Sequence, residues 1–218
     1  MGTGETNAWQ LMIKGGPIMW PIFLCSLAAL TLFIEKQFYF VSIATDLIDL
    51  KQKIFQCVKE NKLKDAIVIC EQNSSPVAKI IKAGIIKSGA GRHEIKGSIE
   101  EVSLVEIPKL EKHLSAMATI AHTSLLLGLL GTVVGMAHVF QAIEMRSASM
   151  NPVTAGDLAG GIWQALLTTI FGLCVAIPAF LAYNYCISRV NDFVVKMEKA
   201  GTEIVNMLSY LSDTRAQE

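Results

Sequence analysis

Charge is what this 218-residue chain has least of. Asp, Glu, Lys and Arg make up 17% of it, against roughly 25% in an ordinary soluble domain, while 52% is hydrophobic and the mean hydropathy is +0.44. A chain this apolar is not intrinsically disordered. Net charge is absent too: 19 basic residues balance 19 acidic ones, which excludes a nucleic-acid binder carried by bulk basic charge. Cysteine is sparse, five residues without a CxxC pair, so a disulfide-rich miniprotein is excluded and reduced structural thiols are expected. No metal-ligand spacing, nucleophile–base pair or phosphate-binding loop is found, which leaves an enzyme as the least supported reading.

The missing charge is concentrated. Gly15–Ile34, Leu114–Ile143 and Leu158–Ser188 contain no Asp, Glu, Lys or Arg over 20, 30 and 31 residues. A bilayer core takes roughly 20 apolar helical residues, so each qualifies as a transmembrane helix, and the second and third should project past the membrane or tilt. The first is not read as a cleaved secretory signal: it lacks a basic n-region and ends in Glu35-Lys36, not at a small-residue cleavage site. Within about 20 residues of the helix ends, Lys36, Lys51, Lys53, Lys96, Lys109, Lys112, Arg189, Lys196 and Lys199 fall on one side, Lys14 and Arg146 on the other. The expected order is an external segment 1–14, a first span 15–40, a cytoplasmic helical domain 41–113, a second span 114–143, an external loop 144–157, a third span 158–188 and a cytoplasmic C-terminal helix 189–218.

What is present is helical throughout, and the chain reads as an all-α integral membrane protein. Leu47, Leu50, Ile54 and Val58 recur at helical spacing between charged residues; Ala66, Ile67 and Cys70 mark a second short helix closed by Asn73-Ser74-Ser75-Pro76. Val77, Ile80, Ile81 and Ile85 make a third. Ile95, Ile99 and Val102 begin a helix expected to run, kinked at Pro108, into the second span. In that span Ser124, Gly128 and Thr132, and Gly131 with Gly135, keep a four-residue spacing; Gly161, Ala165, Thr168, Gly172, Ala176 and Ala179 form a comparable stripe in the third. Small residues at this spacing let helix backbones approach closely in lipid. Packing accounts for the glycines but not for Thr132, Gln164, Thr168 and Thr169, which are candidates to line a polar passage or to grip a polar group on another helix. Neither polar span holds a deep acid. His122 and His138 are its imidazoles, each read as a packing, hydrogen-bonding or functional position.

Three motifs in order resemble the ExbB/TolQ proteins of the MotA/TolQ/ExbB proton channel family: Lys14-Gly15-Gly16-Pro17-Ile18-Met19-Trp20-Pro21-Ile22 at the first span, Gly128-Leu129-Leu130-Gly131-Thr132-Val133-Val134-Gly135-Met136 in the second, and Ala165-Leu166-Leu167-Thr168-Thr169 with Gly172-Leu173 and Ala176-Ile177-Pro178-Ala179 in the third. The resemblance implies a homo-oligomer, with five copies forming a cone in the bacterial inner membrane. Its pore holds the single-span helices of an ExbD/TolR-like partner whose aspartate takes up the proton, and the complex energises a TonB- or TolA-like protein. It matches Thr132 and Thr169 to the family's pore-facing threonines and has Pro178 and Ala179 close the third-span motif; with the glycines Gly128, Gly131, Gly135, Gly161 and Gly172 of the small-residue stripes, Pro178 is expected to serve helix packing. No cofactor is implied beyond the transported proton, with sodium the other ion left open. Gln164 stands where many members carry a glutamate, and Leu125 where a proline often precedes the glycine motif; glutamine hydrogen-bonds but cannot titrate. A non-conducting oligomeric scaffold that anchors a partner is the alternative, and a self-contained channel the third reading.

Overall fold

The computed structural model describes residues 15–44, 47–73, 75–148, 152 and 154–215. The expected external segment 1–14, Ser74 and part of the 144–157 loop lie outside them. The described residues form helices α1 (Met19–Ala44), α2 (Leu47–Lys59), α3 (Leu63–Glu71), α4 (Pro76–Ile86), α5 (Arg92–Glu111), α6 (Leu114–Ala148) and α7 (Ala155–Arg215). Among them no strand is formed, and the fold is all-α. Among the described residues three helices are long and apolar enough to cross a membrane. The third span and the C-terminal helix are one uninterrupted helix, α7.

The chain divides into two compact units, one made by the chain up to Ile34 with His113–Asn184, the other by Glu35–Lys112 with the chain from Tyr185 on. The second unit has the core of a small helical bundle. Ile54 and Val58 of α2, Ala66 of α3, Ile81 of α4 and Ile95 of α5 are fully shielded, as amphipathic spacing requires. The C-terminal part of α7 contributes Val190, Phe193, Met197, Ala200, Ile204 and Leu208 to this core; Phe193 stacks on Phe40 with ring centroids 6.0 Å apart. α3 ends at Glu71, just ahead of the Asn73-Ser74-Ser75-Pro76 run expected to close it, and the end of that run also opens α4: the Ser75 hydroxyl accepts the Ala78 amide at 3.2 Å and Pro76 takes the first helical turn, where its missing N–H is harmless. Burial pushes the Cys70 thiol up to about 11, which keeps it protonated and unreactive.

One carboxylate enters this core. Glu106 is buried and bridges Lys79 at 2.8 Å and Lys109 at 2.6 Å, both lysines being partly in solvent. The asymmetry sets an expectation. Glu106→Gln returns two exposed ammonium groups to water and should cost about 1 kcal/mol. The double change Lys79→Met with Lys109→Met strands a buried carboxylate and should cost about 3 kcal/mol, measured as equilibrium unfolding of the detergent-solubilised chain; equal losses would contradict this account.

The interruption between α5 and the second span falls at Lys112 and His113, not at Pro108. Pro108 sits inside α5, where a helix survives the loss of one backbone bond. Lys112 turns to an extended ψ of 136° and His113 takes φ +66°. A left-handed histidine leaves no trace in hydrophobic periodicity, whereas a proline does, and the expectation followed the visible signal.

Candidate functional site

In the membrane unit, α6 and α7 meet along the small-residue stripes. Gly128, Gly131, Gly135 and Ser124 of α6 are buried, as are Ala165, Gly172, Ala176 and Ala179 of α7. The helices run antiparallel in four-residue steps. A side chain on Gly172 would place its Cβ 2.8 Å from the Gly128 Cα and 2.9 Å from the Ser124 carbonyl oxygen; one on Gly135 would lie 2.8 Å from the Ala165 Cβ. A Cβ on Gly131 would collide with the Thr168 side chain, and one on Gly161 with Val139. Backbone therefore lies against backbone: a side chain at Gly172 would force the facing backbone to shift, and one at Gly128, with its Cβ 3.2 Å from the Gly172 Cα, would require it to give by a few tenths of an ångström. Pro178 is exposed on α7 while its neighbours Ala176 and Ala179 pack.

The four candidate polar side chains are placed differently. Thr168 is 1% exposed, and its hydroxyl donates to the Ala165 carbonyl of its own helix at 2.8 Å. Thr132, half-buried, donates to the Leu129 carbonyl at 2.6 Å. Thr169, also half-buried, crosses the seam: its hydroxyl donates to the Gly128 carbonyl at 3.1 Å. Because an α-helical carbonyl already accepts the amide four residues on, Gly128 does not depend on Thr169, and the hydroxyl can turn to another acceptor at small cost.

Gln164 points to the entry of the first span. Its amide nitrogen donates to the Gly15 carbonyl at 3.4 Å, and a Cβ on Gly16 would strike that amide. Gly16 has φ +80°, a conformation open to glycine and strained in other residues. The Gly15-Gly16 pair was legible as an entry motif; that its partner is Gln164 was not, since 149 residues separate them. His122, exposed, pairs its Nδ1 with the Ala118 carbonyl at 2.8 Å and meets the Phe180 ring edge-on at 6.4 Å. His138 and Leu125 are exposed.

Residues 72–199 match the MotA/TolQ/ExbB proton channel family. The ExbB-like 3 protein of Synechocystis sp. is 30% identical over 191 residues, covering 87% of this chain and 90% of that protein. An ExbB homolog of Methanothermobacter thermautotrophicus is 35% identical over 127 residues, 58% of this chain and 43% of its own length. TolQ of the Tol-Pal system of Haemophilus influenzae is 40% identical over 100 residues, 44% of this chain and 42% of its own. The chain thus spans less than half the length of two of these relatives and nearly all of the third. With three apolar helices and this match, the chain is an all-α membrane protein that belongs to the MotA/TolQ/ExbB proton channel family and is of the ExbB/TolQ type.

Proposed function

We propose that this chain is the ring-forming subunit of an inner-membrane stator, which with an Asp-bearing single-span protein of the ExbD/TolR kind converts ion-motive force into work on a TonB/TolA-like protein. The proposed assembly is a homopentamer with the N-terminus outside and the C-terminus cytoplasmic, the side that holds nine of the eleven cations flanking the spans. The observation that carries the reading is the Thr169 hydroxyl at the α6–α7 seam, beside spans that contain no acid of their own.

In this mechanism the partner's aspartate supplies the titrating group. A charge near mid-membrane costs roughly 3 kcal/mol. Thr169 lowers that cost by turning its O–H from the Gly128 carbonyl to the carboxylate, and Thr132 offers a second hydroxyl on the facing helix. When the carboxyl is protonated, Thr169 returns to Gly128 and the partner helix is released to advance. Thr168, closed in the seam, holds the helices together and leaves the carboxyl to the other two.

Proteoliposomes containing both proteins should carry proton flux, and each protein alone should not. Flux from this chain alone would overturn the reading in favour of a self-contained channel. The scaffold alternative draws on Gln164, whose amide is engaged with Gly15 and cannot titrate. It predicts that partner function in cells survives a protonophore, whereas the stator predicts its collapse.

A further inference from the structure

We propose that His122 is the relay through which protons leave the membrane unit: its Nε2 takes the proton carried by the partner's carboxylic acid and passes it to water on the cytoplasmic side. The inference rests on the stator reading above and extends it to the exit. Thr132 and Thr169 cannot serve there, because a hydroxyl bonds to a charge without taking up its proton.

Phe180 stands eleven residues after Thr169 on α7, roughly 16 Å along the axis and within about 20° of the same face. His122 meets the Phe180 ring edge-on, with centroids 6.4 Å apart. The imidazole therefore lies beside the face that carries Thr169, displaced toward the C-terminal end of the span, and it is exposed. The open side of α6 changes character here. From Leu125 to Leu130 its exposed side chains are the leucines Leu125, Leu126, Leu129 and Leu130. Below His122 stand Ser115 and Thr119, both exposed, within about 20° and 60° of it around the helix. The Thr119 hydroxyl donates to the Ser115 carbonyl at 2.8 Å, which leaves its oxygen to accept from water. His122 is thus the titratable group at the head of a polar lane, where the leucines end.

The ring is oriented for the task. A carbonyl oxygen can only accept, so the 2.8 Å bond between Nδ1 and the Ala118 carbonyl puts a hydrogen on Nδ1 and, in the neutral ring, the free lone pair on Nε2. No charged side chain of either span competes, since none occurs in Leu114–Ile143 or Leu158–Ser188; the other titratable group against Phe180 is Tyr183, at 6.5 Å between ring centroids. When the released partner helix advances, its carboxyl gives up the proton directly or through the water ahead of it. The carboxyl O–H bond breaks, the Nε2–H bond forms and the carboxylate is regenerated. The imidazolium keeps its Ala118 bond, so the proton departs from Nε2 to a water of the Ser115–Thr119 lane, leaving neutral imidazole and a hydrated proton.

Proteoliposomes containing both proteins test this. His122→Gln keeps an N–H donor for Ala118 but has no nitrogen that titrates, and proton flux should fall about tenfold or more, as for the loss of a positioned acid–base group. His122→Gly should lose flux as well, and added imidazole should restore it severalfold while leaving the wild type unchanged. A histidine that only packs against Phe180 gives another pattern: glutamine substitutes for it, and imidazole rescues nothing. Wild-type flux in His122→Gln, or a His122→Gly chain that imidazole does not rescue, would overturn the relay and leave the stator reading in place. Absence of flux from the wild-type pair would overturn both.

Discussion

Gly172→Leu is expected to separate α6 from α7 and to cost about 3 kcal/mol or more, at the upper end of overpacking penalties. The reason is what lies opposite. The new Cβ alone would stand 2.8 Å from the Gly128 Cα and 2.9 Å from the Ser124 carbonyl, and both are backbone atoms that no rotamer change can move. Gly128→Leu should behave alike, since its Cβ would lie 3.2 Å from the Gly172 Cα. Unfolding in mixed micelles measures both. The control is Gly97→Ala in α5: nothing lies within 4 Å of the added methyl, and alanine is the better helix former, so a gain of up to about 1 kcal/mol is expected. A Gly172→Leu chain as stable as the wild type would remove the seam from this account.

Thr169→Val should reduce proton flux at least tenfold in proteoliposomes containing the partner, equivalent to about 1.4 kcal/mol of lost stabilisation for the charged carboxyl. Valine keeps the shape and removes only the hydroxyl. Stability should fall by no more than about 1 kcal/mol, because Gly128 retains its helical hydrogen bond. Thr169→Ser should conduct. Thr168→Val is the matched comparison: its hydroxyl is closed in the seam and bonded to its own helix, so flux should stay within about twofold of wild type, in line with a neutral change at a satisfied site. Normal flux in Thr169→Val would sink the role assigned to that hydroxyl, and an equal loss in both variants would show that packing, not the hydroxyl, carries the current.

Much of the architecture was legible because it depends on quantities that a linear sequence carries. Charge-free runs mark the spans, since lipid penalises any unpaired charge wherever the helix sits. The spacing of Ile54 and Val58, or of Ile80, Ile81 and Ile85, reports helices with one buried face, and those residues are buried. The glycine stripes announced a close helix pair, because only small residues permit one. The polar candidates were less legible. Thr168 and Thr169 are adjacent in sequence, yet a turn of about 100° per residue puts one hydroxyl inside the seam and the other across it. Which is which depends on what α6 presents opposite.

The sequence by itself determined the class of molecule: three apolar helices, a helical polar domain, and spans whose polar groups cannot ionise except as histidine, tyrosine or cysteine. Those properties are additive along the chain, and no neighbour is needed to state them. The tertiary structure alone decided that Thr169 reaches Gly128, that Gln164 reaches Gly15, and that Lys36 reaches the Leu110 carbonyl. Each of these is a hydrogen bond between residues at least 41 positions apart. A donor's choice among acceptors is made by distance in space, which hydropathy and helical period do not encode.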